Sequence, residues 1–131
     1  MSSVTRTYFT LSVSDMARAV AFYRGVLGPV VRVESPTWSE LKLGDATVAL
    51  HTTPVPAPRY TGLGVEVVDL HAAYHAVTAL GGRVLSGPSP DPIGNLSYEV
   101  SDTEGNTFTI AGSTPGSDAD PSAPPTAGGA G

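Results

Sequence analysis

Hydrophobic and polar positions along this 131-residue chain change period in an order that repeats. From Thr7 to Val13 they alternate in period two, Tyr8, Thr10 and Ser12 on one face and Phe9, Leu11 and Val13 on the other, which predicts a strand. The period then turns helical. Met16, Ala19, Val20, Tyr23 and Leu27 form an apolar stripe that Phe22 and Val26 widen. Ser14 or Asp15 is a natural N-cap, because its short side-chain oxygen can accept from N–H groups that lack a helical partner. Gly28 followed by Pro29 ends the helix. Strands are predicted at Val30–Glu34, Trp38–Leu43 and Thr47–Thr52, the last two joined by the turn Gly44-Asp45.

The second half repeats the order. Gly62–Val68 alternates, with Leu63, Val65 and Val67 opposite Gly62, Gly64 and Glu66. Asp69 caps a helix whose Leu70, Ala73, Val77 and Leu80 form its stripe, and Gly81-Gly82 stops it. Strands follow at Arg83–Ser86, Leu96–Val100 and Thr107–Ala111. The landmarks Val13-Ser14-Asp15 and Leu27-Gly28 recur as Val67-Val68-Asp69 and Leu80-Gly81, offset by 54 and 53 residues. This is an internal βαβββ repeat. One such module leaves a sheet face bare, since its single helix covers the other, and two modules can pair those faces around a shared interior. The expectation is an α+β fold of two tandem βαβββ modules forming a curved mixed sheet around a cavity, over residues 1–112. Module 1 spans about 5–53, a Pro-rich linker 54–60 and module 2 about 61–112.

Composition narrows the function. The segment 113–131 has no aromatic, large aliphatic or basic residue, so it buries too little apolar surface to offset ordering and is expected to be disordered. Seven Lys and Arg are spread without a run and the net charge is −5, so no nucleic-acid footprint exists. The absence of cysteine excludes disulfides and thiolate chemistry. There is no signal-peptide h-region and no apolar run near the ~20 residues a membrane span needs, so a cytoplasmic protein without membrane contact is expected.

Two stretches carry a family resemblance. "SVSDMARAVAFYRGVLG" resembles the first helix of the vicinal oxygen chelate superfamily, which includes glyoxalase I, extradiol dioxygenases, fosfomycin-inactivating enzymes and bleomycin-resistance proteins. "SDTEGNTFTI" resembles the turn and last strand of that superfamily's second module, commonly D-P-D-G-N followed by apolar-Glu-apolar. The resemblance spans Thr7 to Gly112 and implies a divalent metal held by His, Gln or Glu on the first and last strands of both modules. Carried over position by position, those places hold Tyr8, Ala49, Gly62 and Thr109. None is a usual ligand for such a metal. His51 shares the cavity face with Thr47 and Ala49, and Glu40, Glu66 and Glu99 share its parity, so a shifted site stays open. His71 and His75 have helical i, i+4 spacing without the Glu of H-E-x-x-H and flank the apolar stripe, which reads as a solvated face.

With no metal or other cofactor expected, a ligand must be held by contact. Alternation directs Tyr8, Thr10, Trp38, Glu40, His51, Glu66 and Thr109 inward, and Tyr60 at the end of the linker can close one side. Stacking on Trp38 and Tyr8 suits a large aromatic or apolar small molecule. Either ring can instead simply fill the module interface. The loop "SGPSPDPIGN" from Ser86 is a lid or a plain connector. The expected function is metal-free binding and sequestration of a bulky natural product, similar to the bleomycin-resistance branch, whose members act as homodimers with ligands in shared clefts. Two alternatives remain. One is a metal-independent biosynthetic lyase, isomerase or cyclase with Glu40, Glu66 or Glu99 as base and Tyr8 or His51 as proton donor. The other is a metal-dependent enzyme with ligands relocated to His51 and the carboxylates.

Overall fold

The computed structural model of the protein describes residues 3–54 and 58–113. Residues 114–131 of the expected tail and 55–57 of the expected linker lie outside them. The elements run β1 (Phe9–Val13), α1 (Met16–Leu27), β2 (Val30–Glu34), β3 (Trp38–Leu43), β4 (Ala46–Thr52), β5 (Arg59–Glu66), α2 (Leu70–Ala79), β6 (Arg83–Pro90), β7 (Leu96–Ser101) and β8 (Asn106–Gly112). This is the tandem βαβββ fold that the repeat predicts. Each module forms its own mixed four-stranded sheet, ordered β1-β4-β3-β2 and β5-β8-β7-β6. In both, the first strand pairs in parallel with the fourth, and the remaining pairs are antiparallel. Among the described residues no helix is long and apolar enough to cross a membrane.

The caps fall where the sequence places them. Asp15 accepts from the Arg18 amide and Asp69 from the Ala72 amide, each at 3.0 Å. Gly28 closes α1 in the left-handed region at φ 60°, which a side chain would resist. β1 starts at Phe9 where alternation suggests Thr7, so Tyr8 precedes the strand, and β4, β7 and β8 each extend by a residue at one or both ends; β5 and β6 differ more. β5 starts at Arg59, earlier than the alternation from Gly62 suggests, and ends at Glu66, leaving Val68 fully exposed. β6 runs to Pro90, so the first half of the Pro- and Gly-rich stretch read as a lid or connector is strand, and the rest turns tightly over Asp91–Asn95. Pro88 and Pro90 are tolerated because β6 is the edge of its sheet, where a missing N–H breaks no inner ladder.

The shared interior lies on the helix side of both sheets. One apolar cluster joins Leu11, Val13, Leu41, Val48 and Leu50 of module 1 with Leu70, Val77, Val100, Phe108 and Ile110 of module 2 through α1. Phe22 and Tyr23 of α1 are fully buried against Phe108 of β8, with ring centroids 6.4 and 5.8 Å away. Gly25 of α1 leaves room for Leu80 at the end of α2, where a Cβ would collide with it. The helix-free faces, which the sequence reading pairs around a cavity, stay open within one chain. On those faces Tyr8, Thr10, Lys42, Tyr60 and Glu66 stay exposed.

The turn between β7 and β8, Asp102-Thr103-Glu104-Gly105-Asn106, staples one module to the other. Asp102 shapes the turn by accepting from the amides of Glu104 and Asn106 at 2.7 and 2.9 Å. Its second oxygen accepts from the buried Tyr23 hydroxyl at 2.6 Å. Asn106 donates to the Ser12 carbonyl at 2.9 Å. Glu104, whose side chain has no exposed surface, reaches across to the start of α1. It accepts from Ser14 N and Oγ at 2.7 and 2.8 Å and from Asp15 N at 3.2 Å. Arg18 Nε and Thr103 Oγ1 complete its shell at 2.9 Å. Burial alone would raise the carboxyl pKa, but the donors from Ser14, Thr103 and Arg18 outweigh it and bring it from 4.5 to about 2.

A depressed folded-state pKa gives stability that is complete above the ordinary value of 4.5 and is lost as pH falls towards 2. That shift corresponds to about 3 kcal/mol. Glu104→Gln is therefore expected to lower the unfolding free energy at pH 7 by about 3 kcal/mol and to flatten the acid loss below pH 4.5, measured by urea unfolding across pH. Parallel pH profiles for variant and parent would contradict the staple.

Candidate functional site

The helix-free face of module 1 gathers five of the residues that alternation directed inward, Tyr8, Thr10, Trp38, Glu40 and His51. Register places Trp38 and Ser12 beside His51, and Glu40 and Thr10 beside Ala49, giving two rows across β1, β4 and β3. Tyr8 lies edge-on to Trp38 with centroids 6.0 Å apart, and His51 is tilted against the same indole at 6.0 Å. The indole Nε1 donates to Glu40 Oε2 at 2.9 Å. Arg6, just ahead of β1, grips the same carboxylate with Nη1 on Oε1 and Nη2 on Oε2. Its guanidinium carbon also sits 5.0 Å from the Tyr8 ring centroid, a cation–π distance.

Glu40 is 7% exposed yet ionised by construction. The Arg6 hydrogen bond, then that of Trp38, hold its carboxyl below the usual range against the cost of burial. A general base needs a pKa raised towards neutrality, so Glu40 is set the wrong way for that role. What it does is fix the indole plane and anchor Arg6. Arg6 shares the even parity of Tyr8 and Thr10, a signal in the sequence that was missed because the predicted strand began at Thr7.

The other candidates lie apart from this cluster. Tyr60, 70% exposed, lines a cavity of about 200 Å³ with Phe9, Thr10 and Leu63, where the edges of β1 and β5 approach. Glu66 lines a separate cleft of about 290 Å³ with Lys42, Asp45 and Gly28. It also accepts from the Asn95 amide at 3.4 Å. Thr109 sits on β8 between Gly64 and Glu99. Within one chain, then, Tyr8, Trp38, Glu40 and His51 form one site with Thr10 beside it. Tyr60 borders that site through Thr10, whereas Glu66 and Thr109 belong to module 2.

The sequence profile of the Glyoxalase/Bleomycin resistance protein/Dioxygenase superfamily matches residues 5–110. The chain belongs to this superfamily. A comparison with curated protein sequences finds no match. Among solved structures, a glyoxalase-related enzyme from Fulvimarina pelagi is similar at 19% identity and TM-score 0.67, over 83% of this chain and 88% of that one. The fosfomycin resistance protein FosX from Mesorhizobium loti aligns at 19% identity and TM-score 0.66, over 92% and 100%. FosX from Listeria monocytogenes, solved with Mn(II) and sulfate, aligns at 14% identity and TM-score 0.70, over 87% and 93%. Likeness at these identities concerns the fold.

The residues that the resemblance carries onto metal positions, Tyr8, Ala49, Gly62 and Thr109, do not fit a divalent ion. Ala49 and Gly62 bring no side-chain donor, and Gly62 lies in an irregular stretch of β5 at φ 76°. Tyr8 is engaged with Trp38 and Arg6, and Thr109 offers only a neutral hydroxyl. A shifted site does not assemble either. Among the described residues no three His, Cys, Asp or Glu side chains come together as a metal-holding group. His51 packs on Trp38, and both oxygens of Glu40 are taken. His71 and His75 lie on the exposed face of α2 with rings 4.4 Å apart.

The Arg6 arm is held to the face by the charge of Glu40, which predicts a protease phenotype. Glu40→Gln is expected to release the arm and speed tryptic cleavage after Arg6 several-fold relative to the parent. Mass spectrometry of a time course checks this. An unchanged cleavage rate at Arg6 would contradict the pairing.

Proposed function

We propose that this protein is a cytoplasmic small-molecule binding protein that sequesters a bulky aromatic or hydrophobic natural product without a metal, as in resistance or self-protection. The observation that carries the reading is the Tyr8–Trp38–His51 aromatic cluster, oriented by the ionised Glu40, on a sheet face that α1 does not cover. At ~25 cal/mol per Å², an aromatic ligand covering ~150 Å² of such a wall gains a few kcal/mol before ordering costs. Donor-poor metal positions support contact over coordination. Similarity to fosfomycin resistance proteins supports a resistance-type role.

The binding residues in this reading are Tyr8, Thr10, Trp38, Glu40 and His51 on module 1, with Tyr60, Glu66 and Thr109 from module 2. Glu66 and Thr109 do not join the module 1 cluster within one chain, so we assign the working form as a homodimer in which module 2 of a second copy faces module 1.

Trp38 is the single tryptophan, so its emission reports the site alone. Titration with bleomycin, fosfomycin and a panel of polyaromatic antibiotics is expected to give saturable quenching by an aromatic member. The ligand should be recovered with unchanged mass, and Trp38→Ala should weaken binding at least about tenfold. Conversion of the ligand to a new mass would replace sequestration with catalysis. Stoichiometric Mn, Ni, Zn or Fe in the purified protein would overturn the metal-free assignment.

A further inference from the structure

Arg6 and Glu40 point to the class of ligand that this site takes, provided the module 1 face is the binding wall proposed above. The two donors on Glu40 differ in kind. Trp38 is two residues away on β3 and hydrogen-bonds from within the sheet. Arg6 comes from residues 3–8, which precede β1 without regular structure, and its side chain is 41% exposed against 10% for Glu40. Arg6 is thus the replaceable partner and Trp38 the fixed one.

The guanidinium also makes the set of contacts that a planar organic cation seeks. It has a carboxylate against its edge and the Tyr8 ring 5.0 Å from its carbon, with Trp38 next to that ring. A ligand that reaches the rings must move it. A neutral or anionic ligand would then leave a nearly buried carboxylate short of its main partner, which is unfavourable. A cation restores the pairing as Arg6 leaves.

We propose that Arg6 occupies a cation subsite, and that the ligand carries an amidinium, guanidinium or protonated aromatic amine that exchanges with it on Glu40. Arg6 then sets specificity: it keeps the carboxylate paired in the empty protein and admits only a ligand able to take its place.

The test uses two probes on the full chain. For p-aminobenzamidine, a planar cation, Arg6→Ala should bind at least about tenfold more tightly than the parent, because the internal competitor is gone. Arg6→Gln should show the same gain, and thermal melts of both variants confirm folding. Adding Glu40→Gln to Arg6→Ala should abolish the gain. N-phenyl-1-naphthylamine, a neutral aromatic, cannot take the place of Arg6 on Glu40, so it should bind the parent more weakly than p-aminobenzamidine does and should not share that probe's dependence on Glu40. Equal or weaker binding of p-aminobenzamidine by both Arg6 variants, or a gain that survives Glu40→Gln, overturns the exchange. Failure of the neutral probe to perturb Trp38 in the Arg6→Ala/Glu40→Gln double variant, where the rings are uncovered and no charge is left unpaired, instead removes the aromatic wall on which the exchange rests.

Discussion

The carboxylate of Glu104 crosses from the last turn of module 2 to the first turn of α1 in module 1, and the arrangement of the two sheets rests on it. A charge with no exposed surface is tolerable only when nearly every lone pair is used. Here Ser14, Asp15, Arg18 and Thr103 use them, and the amides at the start of α1 are donors a helix cannot satisfy itself. With that staple in place, Tyr23 and Phe22 meet Phe108, and Tyr23 finds its acceptor in Asp102. The helices are held in the shared core. The faces that carry the candidate site are left uncovered.

That division explains the character of the site. A face outside the core can hold polar groups without destabilising the fold, provided each is paired. Glu40 satisfies this rule through Trp38 and Arg6, and so is a fixed negative charge set among aromatic rings. The face presents ring faces, an ionised carboxylate and a guanidinium, the groups on which the proposed binding rests. Tyr8, Ala49, Gly62 and Thr109, the residues that the family resemblance carries onto metal positions, are too small or too weakly basic to hold a metal.

Most of the fold was legible because its signals are local. Caps at Asp15 and Asp69, the stop at Gly28 and the alternation of β1, β3 and β4 each follow from a few neighbouring residues. Side-chain parity also placed Tyr8, Trp38, Glu40 and His51 on one face. What the sequence did not disclose were partnerships across long separations. Glu104 read as a turn residue, since nothing nearby marks its reach to Ser14, 90 positions away. Parity tells which side of a sheet a residue faces and not which sheet it meets. Hence Glu66 and Thr109, which lie on module 2, were grouped with the module 1 cluster. β6 was cut short at Ser86 because Pro and Gly were weighed as breakers, whereas an edge strand accommodates them.

The account stands on Trp38 as the floor of a ligand site held by Glu40. With one tryptophan in the chain, the indole N–H gives a single resonance in a ¹H–¹⁵N spectrum. During titration with a bound aromatic cation, that resonance and those of Thr10, Ala49 and His51 are predicted to shift together to saturation, with the amides of Phe22 and Phe108 unmoved. A stationary indole resonance, with the shifts gathered around Gly44 and Val65 at the 290 Å³ cleft, would contradict it.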